Sequence, residues 1–144
     1  MIAKANEVLQ TFFGYEQFRE GQKEIVEKVL KGHDTIGILP TGGGKSICYQ
    51  VPALCLEGIT LVISPLISLM KDQVDSLAQS GIHATYINSS LTGEEIDQRI
   101  MKVKKGEYRL LYIAPERLES PSFLSFLQDL PLSIVAIDEA HCVS

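Results

Sequence analysis

A chain of 144 residues, 45% hydrophobic and 22% charged, has the size and balance of one globular domain, which excludes a disordered segment or a repeat array. A formal charge of −5 argues against a generally basic nucleic-acid binder, so any such role has to rest on local residues. No apolar run approaches a membrane span, and the first ten residues carry Lys4, Asn6, Glu7 and Gln10 instead of a leader's apolar stretch, so a soluble cytoplasmic protein is expected. Cys48, Cys55 and Cys142 are odd in number and lack paired spacing, which reads as small core residues and neither a disulfide framework nor a zinc site.

In chain order, Val8, Leu9, Phe12 and Phe13 recur at helical spacing, and Gly14 follows as a left-handed stop. Ile25, Val26, Val29 and Leu30 mark a second helix that ends at Gly32. The run Thr35-Ile36-Gly37-Ile38 reads as a strand, and a helical pattern opens at Ser46; Pro52 is expected to kink or stop it, with Ala53 to Leu56 as its continuation. Strand-like runs then recur at 60–63, 84–87, 109–113 and 133–137, separated by helical patterns near 67–79 and 94–105, with a further helix at 122–130. Alternation of this kind predicts an α/β domain with a mostly parallel sheet, and apolar runs without strict alternation predict strands buried on both faces.

Between the first strand and its helix lies Leu39-Pro40-Thr41-Gly42-Gly43-Gly44-Lys45-Ser46. Three glycines let the backbone turn and bring N–H groups close to phosphate oxygens, and the helix start adds unpaired N–H groups and positive dipole. Lys45 can neutralise β/γ-phosphates and Ser46 can hold Mg²⁺. Leu39 stands where the general phosphate-loop pattern has glycine, so the match is partial at its first position. Much later, Ile134-Val135-Ala136-Ile137 leads straight into Asp138-Glu139. A fully buried strand would thus deliver two carboxylates at the edge where α/β sheets bind ligands, Asp138 for Mg²⁺ and its waters, Glu139 to polarise attacking water. Alone, that pair could equally begin a solvated turn. His141 is open to three readings, a core histidine, a metal ligand or a link between two sites, and without partner residues metal is the weakest of them.

With Asp138-Glu139-Ala140-His141 included, the chain resembles the first motor lobe of superfamily-two helicases, and within them the RecQ family of DNA helicases. The resemblance is carried by Phe13 to Gln22, by Pro40 to Ser46 with Cys48-Tyr49-Gln50, by Ser64 to Val74 and by Tyr112 to Leu118. Within that family Leu39 is ordinary, and Glu20 stands where many members have proline. The resemblance implies a RecA-like P-loop lobe over 33–144, incomplete at its C-terminal end, preceded by a helical segment over 1–32 that reads adenine. Tyr15 would pack on the base, Gln22 would bond its edge and Arg19 would support both; an aromatic face and an amide that donates and accepts suit a purine. It also implies ATP and Mg²⁺ as cofactors and contacts to the backbone of single-stranded DNA from Ser64, Lys71, Asn88 and Arg117, with His141 coupling the two sites. The cluster Arg99, Lys102, Lys104 and Lys105 reads instead as a solvated helix face.

The implied activity is ATP-driven translocation on DNA, 3′ to 5′, with unwinding, in a DEAH-box enzyme of DNA repair and recombination that is nucleoid-associated if bacterial. A second lobe with arginine fingers would be needed for it, so this chain alone is expected to be inactive as a helicase. Two other classes share parts of the pattern. A small-molecule kinase would have the loop and the Mg²⁺ acid without the Tyr15 to Gln22 block, and a nucleotide-gated binding module would bind without turnover.

Overall fold

The computed structural model describes residues 2–19, 21–31 and 47–137. The expected strand at 35–38, the phosphate loop through Ser46 and the tetrad from Asp138 to His141 lie outside the described residues. Two compact units are present, one ending at Glu57 and the other beginning at Gly58.

The first unit holds helices α1 (Ile2–Phe13), α2 (Gln22–Leu30) and α3 (Ile47–Cys55). Ala5, Val8 and Leu9 of α1 pack with Val26 and Leu30 of α2 and with Ile47 and Val51 of α3, so α3 shares a core with the segment that the sequence had set apart at residue 32. Gly14 ends α1 with φ 74°, as its position after the apolar stripe predicts. Pro52 does not stop α3. It forfeits one N–H bond, and the ladder resumes beyond it, Leu56 N–H donating to the Pro52 carbonyl at 3.0 Å. Burial pushes the Cys48 thiol up to about 11, which keeps it protonated and inert, in keeping with its reading as a core residue.

The second unit is a four-stranded parallel sheet of β1 (Ile59–Ile63), β2 (Ala84–Ile87), β3 (Leu110–Ile113) and β4 (Leu132–Ile137), in the order β2-β3-β1-β4. Between the strands come α4 (Ile67–Gln79), α5 (Gly93–Lys104), a 3-10 turn over Pro115–Glu119 and α6 (Pro121–Gln128). Leu61, Leu111 and Ile113 pack with Val103 of α5 and with Phe123, Phe126 and Leu127 of α6. The α/β class and the parallel sheet follow the sequence reading. One expectation is not met among the described residues: β4 is not buried on both faces. It pairs there with β1, and its side chains alternate, as in any strand, between a packed face and one that leaves Val135 and Ile137 55% and 71% exposed.

Local chemistry sets the element boundaries. At Gly58, φ is 96° and a Cβ would run into the Pro131 carbonyl oxygen, so the entry to β1 requires glycine. Helix α5 begins with a reciprocal cap: Thr92 Oγ1 accepts from Glu95 N–H at 3.1 Å, and Glu95 Oε1 accepts from Thr92 N–H at 3.0 Å. Those bonds, and more weakly the Arg99 charge, hold the Glu95 carboxyl below the usual glutamate range. With a folded pKa below the unfolded one, the contribution is complete above the ordinary glutamate value and disappears as pH falls through the lower folded value. Urea denaturation across that acid window is expected to show a stability loss in the native chain that Glu95→Gln, which keeps the cap without titrating, lacks.

Candidate nucleotide and nucleic-acid site

Parallel pairing fixes which residues leave the sheet side by side. Ile63 of β1 is in register with Ile113 of β3 and Ile137 of β4, and Ile113 is in register with Ile87 of β2. One row of isoleucines therefore crosses the sheet. The residues that follow it are Asn88, Ala114 and Ser64, and after Ile137 the sequence continues with Asp138, outside the described residues. Segments far apart in the chain are brought to one carboxyl edge, where α/β sheets bind ligands.

Ser64 is buried and donates its N–H to the Ile113 carbonyl at 3.0 Å, while its Oγ accepts from Leu66 N–H at 3.2 Å. That turn points the chain into α4, whose N-cap residue, Leu66, supplies no side-chain cap. An uncapped helix start at a ligand edge can receive a phosphate oxygen. Across the edge, Ala114 leads into the 3-10 turn, where Arg117 N–H bonds the Ala114 carbonyl at 3.0 Å and leaves the Arg117 side chain half-buried.

Two of the expected contacts are occupied otherwise. Lys71 lies one turn into α4, 67% exposed, with Nζ 2.8 Å from Asp75 Oδ2. The hydrogen bond and charge of Asp75 raise its pKa, so it remains a cation, but an exposed pair at this spacing is readily exchanged for another anion. Asn88 was expected on nucleic acid, yet its side chain is turned inward and is 1% exposed. Its Nδ2 donates to Met70 Sδ at 3.3 Å, and its Oδ1 accepts from Ser90 N–H at 2.8 Å and from the Ser90 hydroxyl. Asn88 thus ties the end of β2 to α4, because the acceptor it could offer is already filled.

In the first unit, Tyr15 is half exposed, its ring open to a ligand face. Gln22 is buried at the start of α2, with Oε1 accepting from Arg19 N–H at 2.7 Å while Gln22 N–H donates to the Arg19 carbonyl at 3.0 Å. Arg19 and Gln22 are thereby locked together, with Gly21 at φ 87° making the turn between them. Thr41, Gly42, Gly43, Gly44, Lys45, Ser46, Asp138, Glu139 and His141 lie outside the described residues. Arg99 was missed by the sequence reading. It is not part of a solvated face: Nη1 donates to the Tyr86 carbonyl at 2.9 Å and to Thr85 Oγ1 at 3.2 Å, and the guanidinium lies 4.4 Å from the Tyr86 ring centroid. Tyr86, an aromatic in the strand that precedes α5 in the chain, was the available signal.

A parallel sheet flanked by helices, with its candidate segments gathered at one carboxyl edge, defines a RecA-like ligand-binding α/β lobe. The profile of the DEAD/DEAH box helicase family matches residues 19–144, and the chain belongs to that family. Its resemblance to RecQ helicases is borne out by relatives. It is 55% identical over its whole length to the ATP-dependent DNA helicase RecQ of Bacillus subtilis and 54% identical over 97% of its length to that of Pasteurella multocida. The chain spans 24% and 22% of those two proteins. A solved structure described as a hypothetical ATP-dependent RNA helicase from Sulfolobus tokodaii superposes with TM-score 0.74 over 99% of this chain and 42% of its own, at 22% identity, a likeness of fold.

Asn88 supplies a test of this geometry. Asn88→Ala strands the Ser90 donors and removes the Met70 contact, and is expected to cost about 1–3 kcal/mol in urea denaturation. A solvent-facing contact residue would cost almost nothing.

Proposed function

We propose that the chain is the nucleotide-binding lobe of an ATP-dependent DNA helicase of the RecQ kind. In the intact protein ATP hydrolysis would drive movement along single-stranded DNA, 3′ to 5′, and open the duplex. The observation that carries this reading is the isoleucine row, which sends Ser64 and the Ala114 to Arg117 segment to one edge, with Asp138 following the same row in sequence. Relatives named as DNA helicases support DNA over RNA. A cytoplasmic setting, with the nucleoid in a bacterium, goes with the same reading.

Fit to a nucleotide is supported among the described residues by Tyr15, whose exposed ring can meet a base, and by the Arg19–Gln22 lock, which fixes the amide at the start of α2. Backbone N–H groups of Thr41 to Gly44 would hold phosphates, Lys45 would neutralise them, and Ser46 and Asp138 would hold Mg²⁺. Bound there, Mg²⁺ supplies positive charge to the β- and γ-oxygens. Glu139 would orient water, and His141 would couple this chemistry to the DNA edge. DNA phosphates would meet the start of α4, Ser64 and Arg117, with Lys71 exchanging Asp75 for a phosphate.

Mg-ATP at about a hundredfold over its Kd should add ~2.7 kcal/mol of stability. Thermal melting is expected to show that gain, to lose it in Lys45→Ala with the unliganded melting point nearly unchanged, and to show a smaller gain with GTP. No shift in the folded native chain at saturating nucleotide would overturn the reading.

Translocation needs two grips that move relative to each other, and the charge developing on the γ-phosphate needs a cation from across a cleft, worth roughly 10³ to 10⁵ in rate for P-loop enzymes. This chain alone should therefore show no unwinding and only trace ATPase, whereas the same sequence extended to the full length of its relatives should show turnover stimulated by single-stranded DNA and abolished by Glu139→Gln. Equal DNA-stimulated rates in both forms would refute the two-lobe mechanism.

A further inference from the structure

We propose that a cleft on the flank of β2 binds a phosphate group through Arg99 and Lys102. The cleft encloses about 380 Å³ between α4, β2 and α5, within the range of small-ligand sites. Its lining runs from Lys71 in the second turn of α4, a residue also proposed above as a DNA contact, past Tyr86 to Ala84 at the start of β2 and Tyr108 just before β3, with Arg99 and Lys102 further along α5.

Its charges are unevenly spent. Asp75 is paired with Lys71 at 2.8 Å, and Glu95 accepts from the neutral Thr92 N–H of the helix cap and feels the Arg99 charge. Neither Arg99 nor Lys102 makes an ion pair with these acids among the described residues. Arg99 uses Nη1 for both of its hydrogen bonds, so Nη2 and Nε are without a partner among the described residues, and Lys102 has no ion pair or hydrogen bond there either. These two cations sit at i and i+3 on α5, neighbours on one helix face whose mutual repulsion an anion would relieve. Lys104, by contrast, turns away over the Phe126 ring at 6.0 Å. The Tyr86 ring and the Tyr86 carbonyl fix the guanidinium plane before any ligand arrives, so little ordering is left to oppose binding.

Phosphate fits this donor set better than carboxylate. The outward donors of Arg99 fill both oxygens of a carboxylate, which leaves Lys102 unanswered, whereas a phosphate monoester has three terminal oxygens and satisfies the guanidinium fork and the ammonium together. An internal phosphodiester of a nucleic-acid strand has only two terminal oxygens, so this donor set selects a monoester over a strand.

The test is NMR on the chain, following the Arg99 Nε–H and the Lys102 side chain during titration with glycerol 3-phosphate, with unphosphorylated hexathymidylate and with acetate. Saturable, salt-sensitive shifts at both residues are expected. A saturable response to glycerol 3-phosphate supports the proposal, and a response to hexathymidylate alone, whose phosphodiesters have two terminal oxygens each, would overturn it. Lys102→Ala, which breaks no contact within the fold, should weaken binding about tenfold, the equivalent of one charge-assisted hydrogen bond. Arg99→Lys should weaken it as well, because it keeps the charge and loses the fork. Absence of saturable shifts up to about 10 mM glycerol 3-phosphate, equal affinity in Lys102→Ala, or acetate binding as tightly as glycerol 3-phosphate would overturn it. These readouts are independent of the ATP-dependent melting shift, so the two sites can fail separately.

Discussion

Strand register is the constraint on which the rest of this structure depends. A parallel ladder leaves no freedom to slide by one residue, since a slip would turn every buried side chain to the other face. Leu61 and Leu111 are partners across β1 and β3 and both are almost wholly buried, as are Ile87 and Ile113 across β2 and β3. Burial of those pairs therefore fixes the heights at which Ser64, Asn88 and Ala114 leave the sheet. Functional geometry at the edge is a consequence of packing in the middle, where each large apolar side chain contributes roughly 1.5–3 kcal/mol.

The same constraint explains what was legible in the sequence. Apolar runs of four to six residues between amphipathic helices give the strands and their parallel sense, because connections long enough to hold a helix must return the chain to the same end. Strand order was not legible. Nothing in 84–87 says that it lies beside 110–113 and outside 60–63, because order depends on how the crossovers pack, and a run of apolar residues has no label for its neighbour. The misjudged burial of β4 has a related origin: Ser133-Ile134-Val135-Ala136-Ile137 reads as interior by composition, and nothing in the run says which of its two faces is packed.

Side-chain direction was the other limit. Asn88 and Arg99 are polar residues in segments that sequence patterns place near the surface, and they were assigned opposite roles, one to ligand contact and one to solvent. In the structure both side chains are engaged within the fold. Asn88 is consumed within the fold by Met70 and Ser90, since a buried amide must find partners or cost about 1–3 kcal/mol. Arg99 is drawn onto Tyr86 because the Tyr86 carbonyl, on a strand that ends the described sheet, takes a guanidinium N–H while the guanidinium plane covers the ring.

The chain's net charge of −5 sharpens the role of each such cation. A broadly basic surface would hold a phosphate backbone anywhere, and its individual residues would matter little. On an acidic protein the attraction has to be local, from cations not neutralised by their own neighbours and from helix starts lacking side-chain caps. At the carboxyl edge those are the α4 terminus, Arg117 and a Lys71 whose pairing with Asp75 is exposed and exchangeable. On the β2 flank they are Arg99 and Lys102. Salt at 0.1 M largely screens exposed charges more than about 10 Å apart, so each cation acts only on a phosphate close to it and several are required at once. Because the register of the sheet fixes how far apart those contacts lie, it also fixes the spacing of the phosphates that can engage them together.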